Sequence, residues 1–407
     1  DDLLYNLRAR SNLFMTLGHA YWSLEDEKAA SQAFAEARRI GETIEHYSTS
    51  IRAARNQAWI AYDRGRLHQA ASICQEVLQS IIEPSEQAGR PLPVAGRLYT
   101  LWGSISLERN DLEEASHALA KGVEMVELTR ETRARKNGLL ALARLKQAQG
   151  DAAGAFDLIE RAEQLGAGAD PEAIAFSGQP WPSQAEYDPR RPASTTQLAA
   201  DADAEAAALK VRFWLSQAER DPRYLAVAAR FAEERQIKLE RGERRIAEQL
   251  ALARLLIAQH RAHGRPDLRS LLGFLDGQLQ IAEEEGRTRR LLEGSILQAL
   301  ALQAQDEADR ALSALQRALT LAEPEGFVRV FIDEGTQMAA LLYQAAERGV
   351  LPEYAGRLLA AFPDAAPTPD DRSHASRPQS QMVEPLSERE REVLQLIAEG
   401  LTNRQIA

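Results

Sequence analysis

Residues 12–40 read NLFMTLGHAYWSLEDEKAASQAFAEARRI, and the spacing of their apolar and small side chains predicts two helices folded against each other. Phe14, Leu17, Gly18 and Tyr21 recur at helical intervals on one face, while Ala30, Phe34 and Ala37 do so on a second. Gly18 and Ala30 are small enough to let the two axes approach closely. Phe34 then fills the space toward whatever pair comes next.

The pattern returns along the chain. Gly65-Arg66-Leu67 turns into Ala70, Cys74 and Val77; Asn110-Asp111-Leu112 into Ala115, Leu119 and Gly122; Gly150-Asp151-Ala152 into Ala155, Ile159 and Ala162. The order of large, small and aromatic positions resembles the tetratricopeptide repeat, which implies antiparallel helix pairs stacked into a superhelix. The small anchors fall at 30, 70, 115 and 155, steps of 40 to 45. The standard repeat is about 34 residues, so the helices should be longer by a turn or so. A weaker pair is expected over Ile246–Ala282, and Ala308, Ala311, Leu315 and Ala318 repeat the second-helix pattern. The expected organisation is N-terminal repeats over 1–165, a Pro-rich linker over 166–195 and degenerate repeats over 196–362. A second linker at 363–385 precedes a short last segment, 386–407. No period-2 alternation persists; Phe327–Phe331 alone hints at a strand, or at a helix entry after Pro324 and Gly326. The expected fold class is all-α.

Composition narrows the function classes. One cysteine, Cys74, can neither close an internal disulfide nor build a thiolate zinc site, which fits a reducing, cytoplasmic setting. No apolar run reaches the ~20 residues of a membrane helix, and Asp1-Asp2-Leu3-Leu4 lacks the basic start of a signal peptide. With 49 basic and 60 acidic residues the net charge is −11, so any nucleic-acid contact must be local.

The last 22 residues are LSEREREVLQLIAEGLTNRQIA. Ser387 and Glu390 form a capping box, Val393, Leu394, Ile397 and Leu401 share one face, Gly400 is placed to stop the helix, and Thr402 with Gln405 starts another. The segment resembles the opening of the LuxR-type helix-turn-helix domain of bacterial transcription regulators. In such a domain the second motif helix reads bases, whereas the first contacts phosphate through its N-terminus. Thr402, Asn403 and Arg404 are the candidates for that phosphate contact. Arg389, Arg391 and Arg404 stand against five Glu from residue 384 on, so this stretch alone should not bind DNA tightly. DNA is expected as a partner of the full-length protein only.

Helical repeats followed by a LuxR-type segment resemble the MalT-like, ATP-dependent regulators. Leu321–Leu342, LAEPEGFVRVFIDEGTQMAALL, is similar to the junction that closes the array in that family, and residues 209–234 are similar to one of its internal pairs. The resemblance implies effector sensing, self-association and transcription control, with ATP bound by a domain ahead of the array. No G-x-x-x-x-G-K-[ST] occurs here, Asp1 is not Met and Ala407 interrupts a helical pattern. The sequence therefore reads as a fragment lacking the nucleotide-binding domain and most of the DNA-binding domain, with no cofactor of its own.

The concave wall of a superhelix is lined by the first helix of each pair. The positions assigned to it are Asn12, Met15, His19 and Trp22; Arg52, Arg55, Trp59 and Tyr62; Arg97 and Thr100; Asn137 and Arg144. Aromatics interleaved with arginine suit a small-molecule effector or a partner peptide. The same aromatics would equally serve as packing between helices, and a scaffold for protein partners without a DNA role is the alternative to the regulator. His260 and His263 sit three apart without a third metal ligand nearby, and Cys74 occupies a core position. No nucleophile-and-base arrangement can be assembled, so an enzyme is not expected.

Overall fold

The computed structural model describes residues 2–129, 131–165, 194–240 and 245–362. Within them the chain folds into helix pairs, with no strand among the described residues. The first four pairs are α1 (Asp2–Ser23) with α2 (Glu27–Thr43), α3 (Tyr47–Asp63) with α4 (Leu67–Val77), α6 (Gly96–Glu108) with α7 (Leu112–Glu127), and α8 (Thr132–Ala148) with α9 (Ala152–Gln164). A widened π turn, Leu78–Ile82, and a short α5 (Glu83–Gln87) extend the second pair. Then follow α10 (Ser194–Ala218) with α11 (Arg223–Glu234), α12 (Ile246–His263) with α13 (Arg269–Glu284), and α14 (Thr288–Ala304) with α15 (Ala308–Ala322). The one-turn α16 (Arg329–Ile332), α17 (Thr336–Glu347) and α18 (Pro352–Ala360) close the array. Phe327–Phe331 thus takes the helical alternative. None of these helices is long and apolar enough to cross a membrane.

Each N-terminal pair is made by the same local device. A residue in the left-handed region, Glu25, Gly65, Asn110 or Gly150, reverses the chain, and the next residue opens the second helix. Three of those openers are aspartates whose carboxylates accept the helix's third amide: Asp26 from Ala29 (3.0 Å), Asp111 from Glu114 (3.2 Å) and Asp151 from Gly154 (2.9 Å). Packing then follows the small residues. A Cβ on Gly18 would stand 2.5 Å from the Phe34 ring, and one on Gly103 2.5 Å from Leu119, so those glycines set the interaxial distance. Ala30, Ala70, Ala115 and Ala155 are all buried. Small residues recur in the later pairs, with a Cβ on Gly294 2.9 Å from Leu279 and Ala311 and Ala318 buried, while the fourth pair meets the fifth through bulk: Phe156, Phe213, Trp214 and Phe231 pack together, with Lys210 among them and ion-paired to Glu163 at 2.6 Å.

The first helices α3, α6, α8, α10, α12 and α14 lie side by side as an inner layer, with the second helices outside. The superhelix winds far enough for its ends to meet. One apolar cluster runs from Ile51 through Ile105 and on through Leu250 to Leu358. At the seam the Val328 amide donates to the Glu108 carbonyl (2.8 Å), the His68 amide donates to the Glu325 carboxylate (2.9 Å), and Arg64 donates to the Glu285 carbonyl.

Charges fasten the closure. Glu108, 2% exposed, accepts from Arg144 at 2.8 Å, from Arg289 at 3.1 Å and from the Tyr62 hydroxyl at 3.3 Å. Four helices from both ends of the array therefore converge on one carboxylate. Burial alone would raise its pKa; Arg144 and Arg289 outweigh that and bring it from the ordinary 4.5 to about 2. Nearby, Asp333 and Glu334 of the terminal junction are held by the array: Glu334 pairs with Arg254 at 2.6 Å, and Asp333 with Arg329 and with Arg212 at 3.7 Å.

Two outcomes follow from the seam. Gly65 and Gly150 share a positive φ, +77° and +80°, but a Cβ on Gly65 would also stand 3.1 Å from the Arg289 amide, whereas Gly150 faces open space. Gly150→Ala should cost about 1–2 kcal/mol of backbone strain and Gly65→Ala measurably more in chemical unfolding; equal losses would mean that the ends do not touch there. Glu108→Gln leaves two half-buried guanidiniums without their counter-charge and should cost about 2–3 kcal/mol, less than a fully buried pair would. Because the folded pKa is depressed, the stability Glu108 contributes is present above about pH 4.5 and lost as pH falls toward 2. The variant should show a flatter acid limb than the parent in denaturation at a series of pH values.

Candidate functional site

Along α3 the spacing of Arg52, Arg55, Trp59 and Tyr62 places all four on one face of the helix. The Arg55 guanidinium lies 5.3 Å from the Trp59 ring centre, Trp59 and Tyr62 stand 5.7 Å apart at 41°, and Arg289 covers Tyr62 at 4.5 Å. Two neighbouring rings thus lie between cations along the inner wall. The lower end of the ladder is the closed seam; the upper end meets α1, α6 and the start of α8.

The upper end is strongly basic. Arg55 donates to Asn56 Oδ1 at 3.2 Å, and Asn56 approaches His19 Nε2 at 3.4 Å. Burial first, then the charges of Arg52, Arg55 and Arg97, lowers the His19 pKa to about 4, although the ring keeps an open side to solvent. His19 is therefore neutral at physiological pH. Burial, then Arg97 and Arg133, likewise lowers Arg55 to about 9, partly opposed by Glu131, which is ion-paired with Arg97. Arg55 Nε is buried and makes no hydrogen bond. Arginines from three successive inner helices, α3, α6 and α8, thus act on one another over a half-buried Trp59.

The wall residues expected from the sequence separate into distinct places. His19, Arg52, Arg55, Trp59 and Arg97 come together in the basic cluster. Tyr62, 3% exposed, and Arg144 belong instead to the buried Glu108 seam, where the returning C-terminal repeats cover them. Met15 is in the core of the first pair, and Thr100 bonds the Gly96 carbonyl at 2.9 Å against α7. Trp22 packs half-buried beside that first core, with Arg64 6.0 Å above its ring. Asn12 is exposed, and Asn137 is half-buried on α8. Thr402, Asn403 and Arg404 lie outside the described residues. His260 Nδ1 is 2.7 Å from the Pro266 carbonyl, and the buried Cys74 thiol is pushed up to about 12 by desolvation.

Sequence reasoning missed Glu108, Arg133, Arg212, Arg254 and Arg289. The one local signal was Glu108 itself, a carboxylate at the end of the apolar run Leu98–Leu107. Arg133 also stands one turn before Asn137 on the same face of α8.

The MalT-like TPR region matches residues 5–177 and 181–348, and the luxR family of bacterial regulatory proteins matches 384–407. A comparison with curated proteins finds no match. Among solved structures the chain is similar to a Rap protein complexed with competence and sporulation factor, at 12% identity over 80% of each chain and a TM-score of 0.49. The repeat match covers well over half of the chain, so the protein belongs to the MalT-like tetratricopeptide family and carries, from residue 384, the LuxR-type segment of bacterial transcription regulators.

Proposed function

We propose that the helical array is the signal-receiving part of the regulator, and that a ligand seated on its inner wall controls what the LuxR-type segment does at DNA. The observation that carries this reading is the order of the two matched families along one chain, repeats first and DNA-binding segment last. The inner wall supports it: Trp59 packs against the core on one side yet is only half-buried, with the Arg55 guanidinium beside its ring. On this reading the chain binds rather than catalyses, it works where DNA is, in the cytoplasm, and Thr402, Asn403 and Arg404 meet phosphate in the full-length protein.

Ligand binding to the folded array raises its melting temperature, so a thermal-shift screen with sugars, nucleotides and short peptides is the direct test. A compound that stabilises the parent should bind Trp59→Ala at least about tenfold more weakly in calorimetry, with the helical circular-dichroism signal unchanged. Equal affinity for parent and variant would remove the inner wall from consideration.

A further inference from the structure

We propose that the upper inner wall is an anion site, and that the effector is a small molecule whose phosphate or carboxylate group seats on Arg55 and the guanidiniums around it, with the body of the ligand against Trp59. The inference deepens the signal-receiving reading and rests on it.

The contrast within one wall carries the argument. Lower down, the fold supplies its inner arginines with carboxylates of its own: Arg144 and Arg289 share Glu108, Arg254 holds Glu334, and Arg329 holds Asp333. Higher up, Arg55 has no ion pair with any described carboxylate. Its contacts are the Asn56 amide oxygen and the face of Trp59, and its Nε–H is buried with no acceptor. Arg52, Arg97 and Arg133 bring further positive charge, which adds to burial in depressing Arg55 and His19, and Glu131 is engaged with Arg97. A buried N–H donor without an acceptor is costly, and like charges held together raise that cost. An incoming phosphate or carboxylate that meets the part of the Arg55 side chain left open to solvent supplies the counter-charge the fold does not, in the geometry that a guanidinium favours. Trp59, half-buried with Arg55 at one edge, offers a flat apolar surface beside that anion seat. A neutral sugar would leave Arg55 without a counter-charge.

The test uses the whole chain and two probes, pyrophosphate and citrate, against potassium chloride at equal ionic strength. Arg55→Gln removes the central charge, Arg55→Lys keeps it without the fork, and Arg230→Gln removes an exposed arginine on α11. The expected result is a melting-temperature rise with at least one probe for the parent and Arg230→Gln, a reduced rise for Arg55→Lys and none for Arg55→Gln. Calorimetry should show about a tenfold or greater loss of affinity in Arg55→Gln. Without ligand, Arg55→Gln should melt at or above the parent temperature, since it relieves repulsion; a clear loss of stability would make Arg55 a structural residue and overturn the proposal. So would equal rises in Arg55→Gln and parent, or no rise with either probe. A neutral ligand that needs Trp59 but is indifferent to Arg55 would overturn the anion site and leave the inner wall as the receptor, whereas ligands indifferent to both would remove the wall itself.

Discussion

Glu108 holds two guanidiniums that reach it from residues 36 and 181 positions further along the chain, and the shape of the array depends on that meeting. Stacked helix pairs need contact only their neighbours, and such an array is open by default. Here the junction after α15 returns to the start: Val328 bonds the backbone of Glu108, Glu325 accepts from His68, and Arg289 covers Tyr62. A carboxylate this deep is tolerated only because paired guanidiniums offset its desolvation, so the seam is either fully assembled or strongly unfavourable. That property suits an array whose two ends must be found together.

Closure also decides what the inner wall can do. The arginines near the seam are neutralised internally and serve the fold. Those on the upper wall, carried by the middle of α3 and the first turns of α6 and α8, act on one another beside Trp59. The two halves of the wall are built from the same residue types on the same helix faces. They differ in their carboxylates: Glu108, Asp333 and Glu334 neutralise the lower arginines, whereas Arg55 has no ion pair with a described carboxylate.

The repeat register was readable because it is local. Gly18 beside Phe34, the alanines at 30, 70, 115 and 155, and the left-handed turns at 65, 110 and 150 shape single pairs, and the structure uses them as their spacing implies. The LuxR-type segment was readable for the same reason, since two caps, a stop glycine and one apolar face all fall within 22 residues. The inner wall was legible only in outline. Helical spacing puts Arg55, Trp59 and Tyr62 on one face, yet nothing local distinguishes Tyr62, which the seam covers, from Trp59 one turn earlier.

The amino-acid sequence by itself determined the helix pairs, their turns and the order of array and regulatory segment, because each rests on interactions spanning a few turns of helix. Only the tertiary structure decided which arginines are neutralised by carboxylates distant in the chain, as Arg144, Arg254 and Arg289 are, and that Arg55 is not. The physical reason is that Coulomb interactions and burial depend on distance in space: the partners of Glu108 and Arg254 lie 36 to 181 residues away and become neighbours only when the superhelix completes its turn.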